Sequence, residues 1–171
     1  AHALNLRDSG VDAVVGLRAE RLSRSNAELK GFRVLDVPEA CEAGNVIALM
    51  TPDDVMAELI DEHVVPHAKQ GSAIVFAHGF PLRFGGVTPP PGLDVVMVAP
   101  MGPGLRLRER YVNGRGLPGC YSVESDATGK AKRIALEYAQ GLGLTRVGVF
   151  RTNAAEETEI DLFAEQAVLC G

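Results

Sequence analysis

AIVFAHGF, residues 73–80, and DVVMVAP, residues 94–100, each contain a continuous apolar, largely β-branched run, 73–76 and 95–99, with no polar face. Runs of this kind are too short for helices, and as strands they must be covered on both sides. Similar runs occur at 12–16, 32–35, 46–50, 119–124 and 146–150, so strands are expected at these five places and at 73–76 and 95–99. Longer segments of helical period separate them, which is how a parallel sheet with crossover helices is written in sequence. Thr51, Pro52, Asp53 and Asp54 read as a helix start, with Thr51 as the cap and the helix running to about residue 68. A second helix is expected over 128–142, ending at a glycine stop, and a third begins near Ala154 with an acidic first turn. The fold class is therefore α/β: a Rossmann-type, doubly wound, mostly parallel sheet with helices on both faces.

Composition agrees. With 171 residues, 46% hydrophobic and 23% charged, the chain can build one core, and disorder, collagen and a membrane span are excluded. The net charge of −5 and the even spread of its 17 Lys and Arg argue against nucleic acid as a partner. The 3 cysteines (Cys41, Cys120, Cys170) lack C-x-x-C spacing and read as reduced thiols of a cytoplasmic protein. No apolar run approaches the ~20 residues that cross a bilayer, and no export signal opens the chain. Residues 1–9 look like a helix closed by Gly10, without the strand and glycine-rich turn that normally open a doubly wound domain. The far end stops inside an apolar helix. The chain reads as a piece of something longer.

Three places could carry chemistry. After the strand at 12–16, Arg18 and a polar loop with Arg21, Ser23, Arg24 and Ser25 lie where a dinucleotide's adenosine ribose is held. Guanidinium forks and hydroxyls there suit a 2′-phosphate, hence NADP over NAD; a solvated basic loop has the same composition. His78 follows the strand at 73–76, at the carboxyl end where ligands of open α/β sheets bind, or serves as a structural histidine in a turn. Asp161 and Glu165, four apart on a helix, fall about 40° apart around its axis, with Glu157 continuing the line. Stacked carboxylates repel unless they share a cation, and hard oxygen ligands suit Mg²⁺; the alternative is an exposed acidic face. His63 and His67 share a helical face but lack a third ligand nearby in sequence.

Taken together, AHALNLRDSG (1–10), VVGLR (14–18), FAHGF (76–80), TPP (88–90), DVVMVAP (94–100), GPG (102–104) and EETEIDLFAEQAVLCG (156–171) resemble the N-terminal domain of ketol-acid reductoisomerases over nearly the whole chain. The resemblance implies one NADP-binding domain over 1–171, with 154–171 the acidic metal-binding helix leading into an all-helical C-terminal domain absent here. It implies NADPH and Mg²⁺ as cofactors, held by Arg18, Arg21, Ser23 and Ser25 and by Asp161 and Glu165, with His78 near nicotinamide and substrate. The implied reaction is alkyl migration in 2-acetolactate or 2-aceto-2-hydroxybutyrate followed by reduction to a dihydroxy acid, in branched-chain amino acid synthesis. It also implies a homo-oligomer built through the missing domain. One departure stands out: Met101 occupies the place of a family lysine, and a thioether supplies neither cation nor donor. With both flanking parts missing, the 171-residue piece is expected not to turn over substrate alone. The rival readings are an inactive paralogue that binds nucleotide and a non-catalytic interaction domain.

Overall fold

The computed structural model describes residues 1–18 and 22–169, without the side chains of Leu22, Glu165, Val168 and Leu169. The described strands form two sheets. β1 (Val14–Gly16) and β2 (Arg33–Leu35) pair in parallel. β3 (Val46–Leu49), β4 (Ala73–Phe76), β5 (Asp94–Pro100), β6 (Gly119–Ser125) and β7 (Val149–Arg151) lie in that order in the second sheet. The β3–β4, β4–β5 and β6–β7 pairs are parallel, and only β5–β6 is antiparallel. The antiparallel step has a local cause. The loop behind α7 (Gly104–Val112) returns the chain to the end it left, where Met101 N–H donates to the Pro118 carbonyl at 2.9 Å and Gly119 lies opposite Pro100. The next strand can therefore only run back down the sheet. The two sheets share no hydrogen bonds. In the doubly wound order 3-2-1-4-5-6, β1 and β2 take ranks two and three and β3 to β5 ranks four to six, so no described strand holds rank one.

The continuous apolar strands are buried on both faces, as their lack of alternation requires. Along β5, Val95, Met97 and Ala99 face one side with Ile74 and Phe76 of β4, while Val96 and Val98 face the other with Val75. The first side is covered by Met56, Leu59, Ile60 and Val64, by Cys41 of α3 (Val37–Ala43) and by Ala154. These four apolar residues lie on one helical run: α4 (Met56–Leu59), a π-helical stretch Ile60–Val64, and α5 (Val65–His67). The second side carries Leu107 of α7 and Ala131, Ala135, Tyr138 and Leu142 of α8 (Ala131–Leu142), with Leu6 of α1 (His2–Asp8) packed behind. Cys41 and Cys120 are buried free thiols, and Cys170 lies outside the described residues.

Several boundaries move for identifiable reasons. α8 begins at Ala131 rather than 128, because Asp126 Oδ1 accepts from Ala131 N–H at 3.0 Å. It stops at Gly143, whose φ of 85° is the left-handed cap that glycine adopts without penalty. The last strand starts at Val149 and not 146, since Leu144–Arg146 winds into a 3₁₀ turn directly after that cap. Thr51 does not cap the first long helix. Its Oγ1 is buried without a hydrogen-bond partner, and a 3₁₀ turn, Asp53–Val55, starts the run. α9 (Ala154–Phe163) is capped as a helix should be, with the Asn153 side chain accepting from Glu156 N–H at 2.9 Å.

Candidate active site

The carboxyl ends of the parallel neighbours β3, β4 and β5 lie at the same end of the sheet. Asp53 lies on the turn after β3, His78 and Gly79 directly follow β4, and Met101, about half exposed, follows β5. His78 Nε2 stands 3.3 Å from Asp53 Oδ1, with both side chains more than a third exposed and open to a ligand. Strand order explains the pairing: β3 and β4 are parallel neighbours with Leu49 opposite Phe76, so the residues just beyond them meet. Asp53 went unread as a site residue because its acid matched a helix start equally well; its place just past the strand next to His78 is the signal that could have revealed it.

α9 crosses the same end of the sheet. Glu157 Oε2 accepts from Gly79 N–H at 2.6 Å, and burial holds the Glu157 carboxyl above its ordinary range, partly countered by that N–H. Asp161, one turn further on, is exposed. Burial, with Glu157 and Asp161 adding to it, pushes the Cys120 thiol up to about 12, so it stays protonated and inert at neutral pH. Glu124 was also unread: its Oε1 accepts from Ala154 N–H at 3.2 Å and ties the start of α9 to β6.

One oxygen of Glu157 is taken up by the Gly79 backbone, and Asp161, next along the helix, adds to the rise of its carboxyl. Beyond Asp161 the chain passes at Ala164 into a π-helical stretch, Ala164–Leu169. The Glu165 side chain lies outside the described residues. Among the described residues, no three His, Cys, Asp or Glu converge as a metal cluster. Asp161 offers a hard, solvent-reachable oxygen one turn beyond Glu157, which fits an ion that keeps most of its waters and takes one or two carboxylates. His67 bonds Glu42 at 3.0 Å and is not paired with His63.

Arg18 follows β1 and is exposed. Ser23 and Ser25 are exposed too, but they lie in the first turns of α2 (Leu22–Leu29) and not in a loop. A polar helix facing solvent has the same composition as a polar loop, and that misled the sequence reading. Arg24 is already engaged with Asp36 at 2.8 Å. Arg21 lies outside the described residues.

These features define a Rossmann-type α/β domain whose ligand groups gather at the carboxyl ends of its parallel strands. Residues 1–148 match the family described as acetohydroxy acid isomeroreductase, NADPH-binding domain, and the chain belongs to that family. A ketol-acid reductoisomerase (NADP(+)) of Kocuria rhizophila is 52% identical over all 171 residues, which make up 50% of that relative. The solved structure of an NADH-preferring ketol-acid reductoisomerase from an uncultured archaeon superposes with a TM-score of 0.94 at 36% identity, over 99% of this chain and 53% of that one. A semialdehyde dehydrogenase NAD-binding protein from Cupriavidus necator, at 13% identity and a TM-score of 0.80, shares the fold alone. The chain spans about half the length of the curated relatives it matches.

Proposed function

We propose that this chain is the dinucleotide-binding half of a ketol-acid reductoisomerase that converts 2-acetolactate or 2-aceto-2-hydroxybutyrate to a dihydroxy acid in branched-chain amino acid synthesis. The observation that carries this reading is the 52% identity to such an enzyme along the whole chain. Arg18, just past β1, and Ser23 and Ser25 of α2, all exposed, would receive the adenosine 2′-phosphate together with Arg21. Asp161, with Glu165, would hold Mg²⁺. When bound, NADPH supplies a hydride and Mg²⁺ polarises the ketol and carbonyl oxygens. His78, whose Nε2 faces Asp53 Oδ1 at 3.3 Å, would orient substrate through its other ring nitrogen, Nδ1. The complete enzyme in this reading is a cytoplasmic homo-oligomer assembled through residues beyond this chain.

Since one relative is described as preferring NADH, the decisive experiment is a titration with NADPH and NADH of the chain and of Arg18→Ala. NADPH should bind more tightly, and Arg18→Ala should lose about tenfold or more for NADPH only, the worth of a charge-assisted bond to phosphate. Equal affinities with no effect of the substitution reject the 2′-phosphate assignment.

Met101 favours a second reading, a paralogue that binds nucleotide without turnover, because nothing at this place can donate to substrate. Turnover of 2-acetolactate by the longer natural protein separates the two. Activity that appears only with Met101→Lys would establish the inactive paralogue.

A further inference from the structure

We infer that Glu157 is a positioning residue, whose carboxylate takes the Gly79 amide and so locks the turn presenting His78 to the helix carrying Asp161. The inference rests on the reading of His78 as a group that works on substrate, and it concerns how that group is held.

The contact is short and charge-assisted, with Gly79 N–H donating to Glu157 Oε2 at 2.6 Å. The turn cannot settle closer to α9, since it is already backbone against backbone: a Cβ at Gly79 would collide with the Ala154 carbonyl and stand 2.6 Å from the Thr158 hydroxyl. Nor can the first turn of α9 yield. Thr158 Oγ1 is buried and donates to the Ala154 carbonyl at 2.7 Å, Asn153 caps the helix, and Glu124 holds Ala154 N–H from β6. On its outer side, α6 (Phe80–Arg83), which continues the turn, is joined to α9 by the Arg83–Glu159 ion pair at 3.7 Å. His78 is thus held from two directions, by Asp53 beyond β3 and by the α9 clamp through Gly79.

The placement of Glu157 is costly. Its carboxyl is partly buried, and among the described residues no Lys or Arg pairs with it; burial, with Asp161 adding to it, raises its pKa, and the Gly79 N–H and His78 counter only part of that rise. A residue that served packing alone would be apolar at this position, since a half-compensated carboxylate costs stability. What the carboxylate adds is an acceptor of fixed reach aimed at a single amide.

Reach and charge can be separated. Glu157→Asp keeps the charge and loses a methylene of reach, Glu157→Gln keeps the acceptor and loses the charge, and Glu157→Ala loses both. In the 171-residue chain, Gly79 amide hydrogen exchange should speed up about tenfold or more in the Asp and Ala variants and stay within about threefold of wild type in Gln. In the longer natural protein, kcat should fall in Asp and be restored in Gln, with KM for NADPH unchanged. A Gly79 exchange rate in Glu157→Asp equal to wild type, or a Gln variant as fast as Ala, overturns the inference. If wild type shows no turnover at all, the proposed reaction fails while the exchange series still decides the clamp.

Discussion

Gly79→Ala tests how tightly the candidate site is built. The backbone φ at Gly79 is −86°, which any residue adopts, so the substitution introduces no dihedral strain and its cost must come from space. A Cβ there would stand 2.6 Å from Thr158 Oγ1 and 2.9 Å from the Ala154 carbonyl carbon, besides colliding with the Ala154 oxygen. Ordinary contacts are about 3.5–4.0 Å, so the turn must back away by roughly 1 Å. That displacement stretches the 2.6 Å bond from Gly79 N–H to Glu157 past hydrogen-bonding distance. Overpacking costs about 1–3 kcal/mol and a charge-assisted bond about 1.5–3, while the stiffer unfolded chain returns about 0.4–1. A net loss of about 3 kcal/mol corresponds to roughly 6–12 °C in Tm for a domain of this size. Thermal unfolding followed by circular dichroism reads it directly. Gly104→Ala is the control, because its Cβ would meet only Ala1 Cβ at an ordinary 3.6 Å. If Gly79→Ala melts within about 2 °C of wild type while the control behaves as expected, the close approach of turn and helix is not what the geometry says.

Other outcomes follow from buried polar groups. Asp94 is fully buried at the start of β5 and accepts from Thr128 N–H at 2.9 Å and from its hydroxyl at 2.5 Å. Asp94→Ala leaves both donors without a partner and should cost about 2–4 kcal/mol, read as a lower urea midpoint at unchanged m. Burial lowers the His2 imidazole from 6.5 to about 4. The unfolded chain therefore takes up a proton that the folded one refuses. Stability should fall as pH drops from 6.5 toward 4, by up to about 3 kcal/mol, and His2→Phe should flatten that part of the wild-type Tm–pH curve. Arg108 donates to Asn5 Oδ1 at 2.9 Å and to Asp8 Oδ2 at 2.6 Å, fastening α1 to α7. Arg108→Lys cannot serve both acceptors in the same planar fork, so α1 amides should exchange roughly tenfold faster while those of β4 and β5 stay unchanged.

The strand pattern was legible because a strand buried on both faces has to be continuously apolar. β4 matched its expected bounds, and β5 and β6 matched within one residue at each end they missed. The ends that shifted were set by single polar contacts or turns that periodicity does not carry: Asp126 on Ala131, and the 3₁₀ turn after Gly143. At the site, His78 could be found from its place after a strand, because that follows from chain order alone. Its partner Asp53 is 25 positions earlier in the chain, and Glu157 is 78 positions from Gly79. Neither pairing has a local signature.

Sequence alone determined the class of fold, the two-faced burial of the sheet and the family, because these depend on residue type and order over short windows and on motifs read whole. Only the tertiary structure decided which acid meets His78, that Glu157 meets the Gly79 amide, and that β6 runs against β5. Those outcomes depend on how far α9 can approach the β4 turn and where α7 returns the chain, which are distances between elements remote in sequence that no local pattern encodes.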